Sequence, residues 1–342
     1  MGFLTNLFKK KESESVMLID IGASSVAGAC VQYKKSSLPT VLYTRRLPID
    51  IRKDETHEFA MLRALYILCG SLLQEASPIL LRASGSGSID KILISIDSPW
   101  QETSVRTESF EKKEPFIFTK DMVDRALEET RTVSQNKTIS DESIIGTILN
   151  GYETLKPYGR KIHRASIIIL TSLISKEVAN SIISVIRKAY HTNKILPITD
   201  SSLRYQAMRH AFPHQHDMLI LDATGPVTSV SLIRRGLFVG IVDVQCVTGS
   251  NEWIENVKNE FSTLAKQYPL PRTIFLLAQE LEIPSLQKKL SESNLGQLWL
   301  SDNPPTFVTV LASHLTNYVK QMTPLATDLP LLLMAIYYQH RI

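Results

Sequence analysis

Short apolar runs separated by small or polar turns recur along the chain, alternating with longer stretches whose apolar residues repeat every three to four positions. Residues 16–22, 26–33 and 40–47 are rich in Val, Ile and Tyr and predict three strands. A helix is predicted from Glu58 to about Glu75, with Met61, Leu62, Leu65, Leu68 and Leu72 on one face, and Ser84–Ser88 is a small-residue break before the next strand. Strands at 91–96 and 103–110, a helix at 119–133 capped by Thr119, strands at 143–153 and 165–172 and a helix at 175–190 follow. The second half predicts a strand at 195–198, a helix at 201–212, and strands at 218–222, 227–234 and 237–244. Helices at 250–266 and 284–291 flank a strand at 272–277, and helices at 305–322 and 328–340 close the chain.

One unit occurs twice, about two hundred residues apart: an apolar strand ending in an aspartate, a small-residue turn, and a second strand. The first copy is Val16-Met17-Leu18-Ile19-Asp20-Ile21-Gly22-Ala23-Ser24-Ser25, and the second runs from Met218-Leu219-Ile220-Leu221-Asp222 to Thr228. A strand, an acid and a tight turn present backbone N–H groups to phosphate while the acid holds a cation.

At 342 residues the chain has room for two domains with cores of their own. Hydrophobic residues at 44% and charged residues at 21% fit a globular protein. A net charge of +4, without a basic groove interleaved with aromatics, argues against a nucleic-acid partner. Cys30, Cys69 and Cys246 lack metal spacing and read as buried thiols in a reducing cytoplasm. No apolar run reaches the roughly 18 residues of a spanning helix, and no secretory signal is evident.

Residues 1–15 have two readings. On a helix, Phe3, Leu4, Leu7 and Phe8 share one side and Lys9, Lys10 and Lys11 follow, as in an interfacial membrane anchor. The polar Lys11–Ser15 stretch equally suits a solvated tail ahead of the first strand.

These features resemble the actin-like superfamily, and within it the FtsA/PilM branch. The resemblance rests on Ile19–Val26, Phe118–Glu128, Thr199–Ala207 and Leu221–Thr228, and it spans most of the chain. It implies an α/β fold of duplicated actin-like (RNase H-like) lobes with an inserted SHS2-type α+β module and a shortened second lobe. On that scheme 16–89 and 175–215 form the first lobe, 90–174 the module and 216–342 the second lobe. PilM-like relatives are cytoplasmic and peripheral to the inner face of the cytoplasmic membrane. They serve type IV pilus or type II secretion-like platforms and bind the N-terminal peptide of a PilN-like single-span membrane protein. The FtsA-like alternative is a division tether that binds FtsZ and carries a C-terminal amphipathic anchor, which is not visible here.

The resemblance also implies a phosphate site at Asp20, Gly22, Ser24, Ser25, Asp222, Gly225 and Thr228, and four departures fall on it. Ala27 stands where the family often has a phosphate-neutralising Lys. Thr224 and Pro226 replace two turn glycines, and Pro226 has no N–H to donate. Ala278 and Gln279 replace the glycine pair that accommodates adenosine. Only about twenty residues separate the Val247–Ser250 turn from the strand at 272, too few for the family's nucleotide-covering subdomain. The expectation is a degenerate site with no catalytic residue and no cofactor; the alternative is an active Mg-ATP-binding ATPase.

Trp100, Phe116 and Phe118 are candidates for lining a peptide groove on the module, where aromatics otherwise serve as core. His210, His214 and His216 beside Asp217 have a zinc-like spacing, but a surface loop without a fourth ligand is the simpler reading, so no metal site is assigned. The run Glu111-Lys112-Lys113-Glu114 is expected in a solvated loop.

Overall fold

The computed structural model describes residues 13–129, 136–154, 156–299, 305–322 and 328–341. The candidate membrane-surface residues Phe3, Leu4, Leu7, Phe8, Lys9, Lys10 and Lys11 lie outside them. In chain order the elements begin β1 (Ser13–Ile21), β2 (Ser25–Lys34), β3 (Thr40–Pro48), α1 (His57–Ser84) and β4 (Lys91–Ile96). Then come β5 (Gln101–Ile117), α2 (Lys120–Glu129), β6 (Lys137–Leu149), β7 (Tyr152–Glu153) and β8 (Lys161–Ser175). Next are α3 (Lys176–Tyr190), β9 (Ile195–Thr199), α4 (Asp200–Ala211), β10 (Met218–Ala223), β11 (Val227–Arg234) and β12 (Leu237–Val247). The last are α5 (Trp253–Gln267), β13 (Thr273–Ala278), α6 (Ile283–Glu292), β14 (Thr306–Thr309), β15 (Lys320–Gln321) and α7 (Leu329–Arg341).

The duplication read from the two aspartate turns is a duplication of sheets. One sheet runs β15-β3-β2-β1-β4-β9 and another β12-β11-β10-β13-β14, so each holds the same five-strand order around its aspartate strand. In both, the aspartate strand is antiparallel to the next strand and parallel to a later one. These strands are buried on both faces, which is why they read as continuous apolar runs. A third sheet, β5-β8-β6-β7, carries the inserted module with α2.

The described residues divide into two compact units: one within Met1–Ser98, Val178–Phe212 and Leu311–Ile342, the other within Pro99–Glu177 and Pro213–Val310. The module therefore groups with the second aspartate sheet, where Gly146 of β6 lets Leu237 of β12 approach; a Cβ there would meet its Cδ1 at 2.7 Å. Residues 311–341, expected in the second lobe, instead complete the first unit. β15 pairs with β3, and α7 packs on α4, β1 and β2. Leu329 to Tyr338 are all buried, as a helix apolar on every side requires.

Other differences have local causes. α1 starts at its Thr56 cap, which accepts from the Phe59 N–H at 3.3 Å, and ends at Gly85 with φ 74°. It runs past the expected end near Glu75, through Pro78, because Ala76 and Leu80 continue its buried face. By length and composition α1 does pass as a membrane-spanning helix, contrary to the reading of the apolar runs; Met61, Leu65, Leu68 and Leu72 bury it against β2 and β3. The expected helix at 305–322 is instead β14, a short 3₁₀ turn and β15, because Thr306-Phe307-Val308-Thr309 extends the sheet beside β13. Glu111–Glu114, expected in a loop, lie in the exposed end of β5. Cys30 and Cys69 are buried and burial pushes both thiols up to about 12, whereas Cys246 is only half-buried.

His210 on α4 stacks on His340 of α7, with centroids 3.7 Å apart and rings 5° from parallel. Burial lowers the pKa of both; His340 and Arg209 lower that of His210 further. The folded chain thus favours neutral imidazoles, while the unfolded chain takes up protons near 6.5. Stability is expected to be full above about pH 6.5 and to fall as pH drops through the lowered native values. Urea midpoints across this range measure the decline, which His340→Phe should flatten.

Candidate functional site

The end of β1 presents Asp20, and the β1–β2 turn brings Gly22, Ser24 and Ser25 beside it. In the sheet register Asp20 pairs with Ala27 of β2, and Ala27 pairs with Arg46 of β3. The three form one cross-strand row, and the small Ala27 leaves room for the Arg46 side chain to reach Asp20. Its guanidinium donates to Asp20 Oδ2 at 2.9 Å, to Ser25 Oγ at 2.7 Å, and to Asp328 Oδ2 and Oδ1 at 2.7 and 2.9 Å. The cation implied at position 27 is thus supplied from the neighbouring strand.

Asp328 sits at the start of α7, where its Oδ1 accepts from the Leu331 N–H at 3.2 Å. The Asp20 and Asp328 side chains are 6% and 10% exposed and that of Arg46 28%. Burial opposes the guanidinium charge, yet Asp328 and Asp20 outweigh it and raise the Arg46 pKa. Four of the guanidinium's five N–H donors are engaged by these groups, so a phosphate could take them only by displacing two carboxylates and a hydroxyl. The turn's backbone is engaged as well: the Gly22 N–H donates to Ser25 O at 3.0 Å, and Ser24 O accepts from the Ile49 N–H at 2.8 Å. His57 Nε2 lies 2.6 Å from Ala23 O.

In the second unit, Asp222 ends β10 opposite Ser229, as Asp20 stands opposite Ala27. Its Oδ1 accepts from the Thr224 N–H at 3.0 Å and the Thr224 hydroxyl at 2.6 Å, closing the turn on itself. Thr228 is fully buried; its Oγ1 accepts from Trp253 Nε1 at 2.8 Å and lies 2.9 Å from Thr248 Oγ1. Thr248 also donates to Gly225 O through its hydroxyl and to Pro226 O through its N–H, at 2.9 and 2.8 Å. The following Gly249 needs its left-handed backbone, φ 71°, and Lys289 of α6 donates to the Gly249 and Ser250 carbonyls. At the end of β13, Ala278 is buried, and Gln279 O accepts from the N–H groups of Glu282 and Ile283 at the entry to α6. Between β12 and β13 there is a single helix, α5.

Sequence reasoning thus located both turns but missed Arg46, Asp328, Trp253 and Lys289. Asp328 ahead of Leu329-Pro330 carries a helix-start signature. Arg46 becomes visible only once the register of three strands is known.

On the module, Phe118 is fully buried in a core with Val123, Ile162, Ile167 and Ile169, edge-on to Phe110 and stacked with Tyr158. Trp100 is 8% exposed. Neither faces solvent, so neither lines an open groove; Phe116 is partly buried against the same core, with the Lys112 ammonium 5.2 Å from its ring. Of the zinc-like set, His210 stacks on His340, while Asp217 accepts from Arg234 Nε and the Arg235 N–H. Among the described residues no three His, Cys, Asp or Glu side chains gather as a metal site would require.

No protein-family model and no curated protein sequence matches the chain. Its fold matches a chain of the PilM–PilN type IV pilus biogenesis complex with TM-score 0.52 and 12% identity, over 95% of this chain and 98% of that one. A Bacteroides thetaiotaomicron protein with an actin-like ATPase fold and unknown function follows at TM-score 0.44 and 11% identity, over 96% and 97%. EutJ, an ethanolamine utilization protein from Carboxydothermus hydrogenoformans, aligns at TM-score 0.39 and 12% identity, over 95% and 88%. The chain therefore shares the fold of a chain from the PilM–PilN complex, with an arginine seated in its first aspartate turn.

Proposed function

We propose that the chain is an actin-like scaffold of a type IV pilus or type II secretion-like inner-membrane platform. In this reading it binds the N-terminal cytoplasmic peptide of a PilN-like membrane protein and does not turn over ATP. The observation that carries the second half is Arg46, whose guanidinium takes up Asp20, Ser25 and Asp328. A Mg-phosphate needs the aspartates and the turn N–H groups free, whereas Asp20 is held by Arg46, Asp222 by Thr224, and the Gly22 and Thr224 N–H groups by their own turns. The likeness in fold to a PilM–PilN chain supports the first half. Peptide capture needs apolar pockets and main-chain partners but no catalytic group, so it tolerates a closed phosphate turn.

Two measurements test the reading. Titration with N-terminal cytoplasmic peptides of single-span platform proteins is expected to give saturable binding by one of them; no binding by any removes the scaffold role. Thermal melts with millimolar Mg-ATP are expected to be flat. A nucleotide at about a hundred times its Kd would add about 2.7 kcal/mol, several degrees for units of this size, and such a shift would restore the Mg-ATPase alternative. Arg46→Met should itself lower stability by about 3 kcal/mol in urea unfolding, since it leaves Asp20 and Asp328 without their cation.

A further inference from the structure

One end of the module's sheet carries an unbalanced set of charges. The segment from Asn150 to Arg164 holds Lys156, Arg160, Lys161 and Arg164 against a single carboxylate, Glu153. All four cations are exposed, and none has an ion-pair partner among the described residues. The adjoining end of β5 adds Lys112 and Lys113 with Glu111 and Glu114, Glu111 standing opposite Arg164 in the register, so cations outnumber carboxylates six to three.

The fold gathers these residues. Ile117 pairs with Lys161 across β5 and β8, the Phe118 N–H donates to Arg160 O at 3.0 Å, and the Asn150 N–H donates to Arg164 O at 2.7 Å. Asn150 and Gly151 both have positive φ, 49° and 88°, as a tight Asn-Gly hairpin turn requires. Asn150 Oδ1 accepts from the N–H groups of His163 and Arg164 at 3.1 and 3.0 Å, which holds the start of β8 against the turn. Among the cations stand three large exposed side chains: Tyr152, 80% exposed, Ile117, 58%, and Tyr158, 47%. Tyr158 keeps one ring face on Phe118, with centroids 5.9 Å apart.

We propose that this end of the module rests on an anionic membrane surface, with Lys156, Arg160, Lys161 and Arg164 on lipid phosphates and Tyr152, Tyr158 and Ile117 entering the headgroup layer. Cations mixed with exposed tyrosines and an aliphatic residue are what interfacial binding uses. The backbone argues for lipid over a bound acidic peptide: the N–H groups of Phe118, Asn150, Gly159, His163 and Arg164 are all taken internally, leaving side chains as the handles. This surface stands independently of the peptide reading above.

The test is co-sedimentation of the full chain carrying Lys9→Gln, Lys10→Gln and Lys11→Gln, so that those lysines contribute nothing. Vesicles are phosphatidylcholine alone or with about a third phosphatidylglycerol. Binding is expected to the anionic vesicles only, and Arg160→Gln/Lys161→Gln/Arg164→Gln should lower the partition coefficient roughly a hundredfold, about fivefold per charge. Tyr152→Ala should weaken binding severalfold at a salt concentration that screens the charges. These side chains are exposed, so circular-dichroism melts should be unchanged. Equal binding by parent and triple variant, or equal binding to neutral vesicles, overturns the proposal. Soluble poly-glutamate binding as tightly as the vesicles also overturns it, in favour of an acidic polypeptide.

Discussion

A single guanidinium organises the first unit. Arg46 leaves β3, crosses the row occupied by Ala27 and meets Asp20 at the end of β1 and Asp328 at the start of α7. A carboxylate as little exposed as Asp20 needs a compensating charge, and a bound cation or a basic side chain supplies it equally well. Here the protein supplies its own, and the same contact anchors the helix that covers the sheet. The first aspartate turn and the attachment of α7 are therefore one electrostatic arrangement, not two.

The repeated sheet order explains why the two turns remain so alike while their surroundings diverge. In each, the residue seven places after the aspartate stands across from it, Ala27 opposite Asp20 and Ser229 opposite Asp222. Small side chains at those positions keep the aspartate strand packed, and what fills the space above differs. In the first unit it is Arg46; in the second, the turn folds back through Thr224 and is stitched to the next loop by Thr228, Thr248 and Trp253. In both, the aspartate carboxylate is taken by the protein's own donors, Arg46 in one and Thr224 in the other.

Much of this was legible beforehand. Strands buried on both faces are largely apolar, so β1, β2 and β10 stood out, as did the aspartates that end two of them. That Ala278 and Gln279 carry side chains where the resembled family has glycines, and that Pro226 has no N–H to donate, followed from residue type alone. What stayed hidden depends on pairing at a distance. Nothing local marks Arg46 off from its neighbour Arg45, which instead pairs with Glu75. Residues 306–321 place Val308, Leu311 and Leu315 at helical spacing, yet the free edge of β13 draws Thr306–Thr309 into the sheet. Phe118 carried the right chemistry for a groove and the wrong position, because Val123 and Ile162 close over it.

The placement of α7 has a bearing on how the molecule is made. Tyr338 donates to Glu14, and Tyr33 to the carbonyl of Ala335, contacts that bridge more than three hundred positions. During synthesis the strands of the first unit emerge early, yet the helix that covers β1 and β2 emerges only after every residue of the second unit has left the ribosome. The later-encoded unit can thus be complete while the earlier one still shows bare apolar strands to solvent, a state that invites chaperone capture or proteolysis. Shortening the polypeptide at its distal end would accordingly damage the part of the molecule encoded first.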